Sequence, residues 1–153
     1  MIDSVDESRS LVDTNVLVYA HDHGDPAKHI IALALLERLA DQGRLVLSAQ
    51  VLNEFCSVMM RPRRADRMSP EQTLEVLREV AALGEVTPLT VSMTFRALGA
   101  MKPHGLSFWD SLIWAAAAEN GVPVVYTEDF QVGREVEGVQ FVNPFLAAGS
   151  PGA

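Results

Sequence analysis

The amino-acid sequence predicts an α/β protein built on a parallel central sheet with helices on both faces. Its short apolar runs (Leu11-Val12, Leu45-Val46-Leu47, Val124-Val125-Tyr126) read as strands buried on both sides, and helical stretches separate them, which is the alternation a parallel sheet requires. Size agrees: 153 residues suit one compact unit with a single apolar core, so one domain is expected over 1–153, with its folded core at about 10–146. Hydrophobic residues at 48% and charged residues at 21% are ordinary globular usage, which excludes a disordered or fibrous chain.

Residues 1–8, with Asp3, Asp6 and Glu7, show no apolar period and are expected to form a flexible lead-in, as the tail 147–153 is at the other end. Leu11-Val12 is the first strand, and Asp13-Thr14-Asn15 supplies turn and cap chemistry ahead of a helical turn over 16–20. Asp25-Pro26 opens the next helix, with Asp as N-cap and Pro at the first helical position; its apolar-rich run over 27–40 stops at Gly43. After the strand 45–47, Ser48 caps a helix from 49 to about 60, whose Leu52, Phe55, Val58 and Met59 form an apolar stripe. Ser69-Pro70-Glu71-Gln72 is a capping box opening a helix to about residue 83, with Gly84 at its end. A third strand is expected over 86–89. Thr90 caps a helix over 91–101, which Lys102-Pro103-His104-Gly105 breaks. Ser107 begins the last helix; its Ala115-Ala116-Ala117-Ala118 run allows close backbone approach, and Asn120-Gly121 terminates it. Strands over 122–126 and 139–142 complete a sheet of four to five strands.

Glu37, Arg38, Glu54 and Glu119 interrupt the apolar stretches before they reach membrane-spanning length, and no basic-then-apolar leader opens the sequence, so a soluble, cytoplasmic protein is expected. The single cysteine, Cys56, excludes a disulfide framework and fits a small buried hydrophobe. A net charge of −8 argues against coating nucleic acid through a general positive field. One local exception follows the helix that carries Glu54: Arg61, Arg63, Arg64 and Arg67, either a nucleic-acid contact or a solvated connector.

Four acids stand at positions where an acid needs a reason. Asp13 closes Leu11-Val12, Glu54 interrupts Val51-Leu52-Asn53-Glu54-Phe55, Asp110 follows Phe108-Trp109, and Asp129 follows the strand ending at Tyr126. An ionised carboxylate in an apolar run loses several kcal/mol of hydration unless partnered, and converging carboxylates must be relieved by protons or by bound cations. Carboxylates without a matching Cys or His cluster favour a hard cation, Mg²⁺ or Mn²⁺, as one ion or two. Such ions suit hydrolysis of an RNA or DNA phosphodiester by activated water. Asn15 and Thr127 would support the acids through hydrogen bonds. Structural roles compete at each position: an Asx turn at Asp13, helix capping at Asp110, an arginine-paired or snorkelling side chain at Glu54. Either Glu128 or Asp129 could be the fourth acid. His21 and His23 alone do not make a zinc site, and Trp109, Phe55, Trp114 and Phe108 are expected in the core because their spacing follows helix faces.

Taken in order, Leu11-Val12-Asp13-Thr14-Asn15-Val16-Leu17-Val18-Tyr19-Ala20, Leu47-Ser48-Ala49-Gln50-Val51-Leu52-Asn53-Glu54-Phe55, Leu106-Ser107-Phe108-Trp109-Asp110-Ser111-Leu112-Ile113 and Tyr126-Thr127-Glu128-Asp129-Phe130 resemble the motifs of PIN-domain ribonucleases, specifically VapC toxins. The resemblance runs from about residue 10 to 146, and the segment before Asp13 is longer than the family pattern. It implies a PIN-like three-layer sandwich and a Mg²⁺- or Mn²⁺-dependent endoribonuclease acting on transfer or ribosomal RNA. Asp13, Glu54, Asp110 and Asp129 would be catalytic metal ligands, supported by Asn15 and Thr127. It further implies a homodimer held in check by a VapB-type antitoxin. Rival classes are a structure-selective DNA nuclease with the same acids and a non-catalytic binding module. An aspartyl-nucleophile phosphatase is disfavoured, because the acid such enzymes carry two residues after the nucleophile is Asn15 here.

Overall fold

A computed structural model describes residues 7–130 and 133–146. The expected tail, and all but the end of the expected lead-in, lie outside the described residues. Six strands are present among those described: β1 (Ser10–Val12), β2 (Leu45–Ser48), β3 (Glu85–Thr87), β4 (Val124–Tyr126), β5 (Glu135–Val136) and β6 (Val139–Val142). Between them run α1 (Thr14–His21), α2 (Pro26–Asp41), α3 (Ala49–Met59), α4 (Pro70–Ala82), α5 (Val91–His104) and α6 (Phe108–Glu119).

The strands form one sheet in the order β3-β2-β1-β4-β6-β5, parallel except for the β5/β6 pair. The α/β expectation therefore holds, with a sixth strand added. β5 has two residues and forms only by pairing with β6 across a tight turn containing Glu137 and Gly138, both at positive φ. Right-handed crossovers put α1 to α4 on one face and α5 and α6 on the other. The helix contacts divide the same way: α1 packs on α2 and α3, α3 on α4, and α5 on α6.

Local capping chemistry sets the helix starts. Asp25, Ser48, Ser69, Thr90 and Ser107 each accept from a backbone N–H in the first turn, and the Ser69/Gln72 capping box is complete in both directions. The expected break before Pro103 does not occur. α5 runs through Pro103 to His104 and ends on Gly105 in the left-handed conformation. Proline's fixed φ is helical; it forfeits one N–H bond, to the Gly99 carbonyl, but only His104 follows it in the helix, so little is disrupted.

β1, β2 and β4 sit in the middle of the core, where Leu11, Val12, Leu47 and Val125 are fully buried. Trp114 reaches under β5 and donates from Nε1 to the Val136 carbonyl at 3.0 Å. Ala115, Ala116 and Ala117 are buried, as the small-residue run predicts. Cys56 is half-buried at the edge of the core and free. From β1 the chain winds outward through β2 to β3, then returns to the other side of β1 for β4. The β1/β4 junction is thus where strand order reverses, and a crevice opens there beyond the carboxyl ends of the strands.

Candidate functional site

Asp13 is fixed to the end of the sheet. Its N–H donates to the Tyr126 carbonyl (2.9 Å), one rung past the β1/β4 pairing, and its side chain caps α1, Oδ1 accepting from the Thr14 N–H at 2.7 Å. Oδ2 accepts from the Thr127 hydroxyl, also at 2.7 Å. Asp13 is only 3% exposed. Burial pushes its pKa up to about 6, hydrogen bonds from Thr127 and Thr14 oppose the rise, and the charges of Asp129 and Glu54 add to it.

Glu54 enters from α3. Its Oε2 accepts from the Thr14 hydroxyl (2.9 Å) and its Oε1 from Gln50 Nε2 (2.8 Å), one helical turn earlier. The same Gln50 nitrogen donates to the Trp109 carbonyl at 3.2 Å, joining α3 to the start of α6. Asp110 lies in the first turn of α6, where its N–H donates to Ser107 Oγ at 3.2 Å. Burial raises its pKa, the Ser107 hydrogen bond lowers it, and Asp129 and Glu54 raise it. Asp129 accepts from Asn15 Nδ2 (3.0 Å), and its N–H donates to Thr127 Oγ1 (3.1 Å), which Asn15 Nδ2 also approaches at 3.4 Å.

Asp13 and Asp110 each feel both Glu54 and Asp129, so the four acids share one electrostatic environment. Among the described residues, no three Asp, Glu, His or Cys side chains close on a single point as they stand. Thr14, Gln50, Asn15 and Thr127 donate into the carboxylates and hold them in place around the crevice instead. The donor chemistry suits a hard divalent cation: every candidate ligand is oxygen. Two further oxygens, Asn15 Oδ1 and Gln50 Oε1, are buried without a hydrogen-bond partner beside the acids. A buried acceptor left this way calls for a cation or a water-borne proton.

Glu128 has other partners. Its oxygens accept from the Tyr19 hydroxyl and from Lys28 Nζ, both at 2.7 Å. Lys28 also lies over the Tyr19 ring at 4.8 Å and the Phe145 ring at 5.6 Å. The ion pair raises the Lys28 pKa and leaves Asp129 as the residue that meets Asn15. His21 and His29 donate from Nδ1 to the carbonyls of Leu17 and Tyr19.

The arginine segment divides. Arg64 is mostly buried and pairs with Asp22 (3.2 Å) and Asp66 (3.0 Å), while Arg67 Nε donates to the Met60 carbonyl. These two hold the connector together. Arg63 is exposed, and Arg61 lines an open groove of about 630 Å³ that runs from the acids along α3. The groove wall includes Thr14, Gln50, Glu54, Leu89 and Trp109. Trp109, expected in the core, is 60% exposed. Trp109 shares a helix face with the buried Ile113 one turn on, but it stands in the first turn of α6, where the helix end opens onto the groove. Sequence reasoning passed over Gln50 and Thr14 as well, although Gln50 carried a signal in its i, i+4 spacing to Glu54.

Fold and crevice together define an α/β protein with four acids gathered at its sheet's switch point. A family model for the PIN domain matches residues 10–134, and the chain belongs to the PIN-domain family, whose nucleases generally depend on divalent metal. Solved structures share the fold. The chain is 20% identical to the Mycobacterium tuberculosis toxin VapC20, which cleaves the sarcin–ricin loop (TM-score 0.59, covering 78% of this chain and 91% of that one). It is 20% identical to a chain of Rickettsia felis VapBC2 bound to a promoter DNA fragment (TM-score 0.62, 86% and 96%). A Klebsiella pneumoniae toxin–antitoxin complex gives 18% identity (TM-score 0.63, 88% and 97%). Comparison with curated protein sequences gives no match. Among the described residues, no helix is long and apolar enough to cross a membrane.

Proposed function

We propose that this protein is a VapC-type toxin of a type II toxin–antitoxin pair: a Mg²⁺- or Mn²⁺-dependent endoribonuclease, folded as one PIN domain over 1–153 and acting in the cytoplasm on transfer or ribosomal RNA. The observation that carries the reading is the shared environment of Asp13, Glu54, Asp110 and Asp129 at the switch point, where burial and mutual repulsion raise the pKa values of Asp13 and Asp110. Such carboxylates gain most from a bound cation.

Asp13, Glu54, Asp110 and Asp129 would hold one or two ions. When bound, the metal supplies an activated water and charge stabilisation for phosphodiester hydrolysis, which would leave a 5′-phosphate and a 3′-hydroxyl. The chain's own residues perform the positioning. Thr127 and Thr14 fix Asp13 through two hydrogen bonds, Asn15 holds Asp129, and Gln50 with Thr14 holds Glu54. Asp110 would join them from the start of α6. Arg61 offers a phosphate contact at the groove, with Arg63 exposed nearby in sequence; Arg64 and Arg67 serve the connector.

Partner surfaces support the rest of the reading. Val91, Phe95 and Leu98 lie exposed at helical spacing along α5, as a homodimer contact would have them. The acidic crevice suits an antitoxin of VapB type that inserts a basic side chain. The test is cleavage of end-labelled total bacterial RNA by purified protein with Mg²⁺ or Mn²⁺, beside EDTA and Asp13→Asn controls. Discrete bands absent from both controls are expected; intact RNA from folded, antitoxin-free protein would refute the nuclease.

A further inference from the structure

The groove joined to the acids combines a largely exposed indole and a guanidinium, neither used by the metal chemistry, with a wall of one helix face. Gln50, Asn53, Glu54, Ser57, Val58 and Arg61 recur at the spacing of a single face of α3 and its C-terminal extension. Trp109 and Leu89 line the same groove. A single exposed apolar residue is ordinary, but this one is anchored. Its carbonyl accepts from Gln50, the next residue is Asp110, and its ring packs edge-on against Phe108 at 5.1 Å between centroids.

We propose that Trp109 is a stacking platform for one nucleobase of the substrate strand, with Arg61 further along the groove taking a phosphate of the same strand. The inference rests on the nuclease reading for its substrate. Charge complementarity selects the occupant. The chain carries a net charge of −8 and no general attraction for a polyanion, so a strand crossing the acids needs local holds. Arg61 provides one, and it makes no ion pair among the described residues. Stacking provides another that does not depend on net charge, since every base has a π-face. Because Thr14 and Glu54 line both crevice and groove, a strand placed at the acids continues directly past Trp109.

The protein contains two tryptophans, and Trp114 is buried away from any bound strand, so RNA contact can reach only Trp109, and a Trp109→Phe variant isolates its share of the emission. Emission is followed in Asp13→Asn protein with Mg²⁺, which keeps the strand uncut during titration. A short single-stranded RNA oligonucleotide should quench the exposed tryptophan. An abasic oligonucleotide of equal charge should not, and Trp109→Phe should lose the quench. Trp109→Ala should weaken oligonucleotide binding about tenfold or more at every salt concentration, whereas Arg61→Ala should reduce the slope of log K against log salt by about 0.7. On cleavable RNA, with Asp13 intact, Trp109→Ala should raise KM more than it lowers kcat. Equal quenching by the abasic strand, or unchanged binding in a folded Trp109→Ala variant, would overturn the platform. Emission that shifts with protein concentration and not with RNA would assign Trp109 to a contact between copies and overturn it too. Quenching by RNA that the Asp13-intact protein does not cut would uphold the platform and sink the nuclease reading, so the two fail separately.

Discussion

Replacing Asp13 by Asn should remove cleavage and, without metal, make the protein gain stability relative to the wild type as pH rises. Burial raises the folded-state pKa of Asp13 to about 6, from 3.8 in the unfolded chain. Between those values the native state binds more protons than the unfolded state, so wild-type stability falls as pH rises through the window. The amide of the variant does not titrate. The full shift corresponds to about 3 kcal/mol, of which roughly 1 is already lost at pH 4.5, leaving a swing of about 2 kcal/mol between pH 4.5 and 7.5. The comparison also cancels the cost of the amide itself. Thr127 Oγ1 already receives the Asp129 N–H and approaches Asn15, so its hydroxyl loses its acceptor in the variant, at about 1 kcal/mol independent of pH. The assay is urea unfolding of both proteins in EDTA at the two pH values. A stability difference that stays flat, or that moves toward the wild type as pH rises, would refute the claim that Asp13 is held against its own charge.

Mg²⁺ at about 100 times its dissociation constant should stabilise the protein by roughly 2.7 kcal/mol at pH 7.5 and by less near pH 5, where protons compete for the carboxylates. Asp110→Asn should lose most of that gain, which a thermal melt with and without the ion will measure. Lys28→Met should cost less than about 1 kcal/mol of stability, as a partly exposed ion pair does. By freeing Glu128 beside Asp129, the same change should reduce cleavage about tenfold, measured as kcat/KM. Gly84→Ala should destabilise by about 1–3 kcal/mol in urea, because its new Cβ would sit 2.4 Å from the Leu45 carbonyl oxygen, a backbone atom that cannot swing aside.

Caps and acids were legible because their signals are local. Asp25, Ser48, Ser69, Thr90 and Ser107 bond within one turn of themselves, so the residues that define each helix start lie side by side in the sequence. The four acids announced themselves by breaking apolar runs. What stayed hidden depends on contacts between distant segments. β5 exists only through its pairing with β6, Pro103 is tolerated because α5 ends just after it, and the choice between Glu128 and Asp129 as neighbour of Asn15 is made by Lys28, 100 residues away. Trp109 misled for the same reason: its spacing is that of a core residue, but the packing of α6 on α5 and the sheet decides where its first turn points.

The double role of Gln50 Nε2, donating to both Glu54 and the Trp109 carbonyl, bears on how this protein can change over generations. One amide braces a candidate catalytic carboxylate and the backbone beneath the indole, so a substitution that re-aims either will disturb the other. Variants at 50, 54 and 109 should therefore combine non-additively. Under the nuclease reading, a change of target preference should therefore pass first through Leu89, which lines the groove without touching that shared anchor, since a phosphate contact such as Arg61 would make reads no sequence.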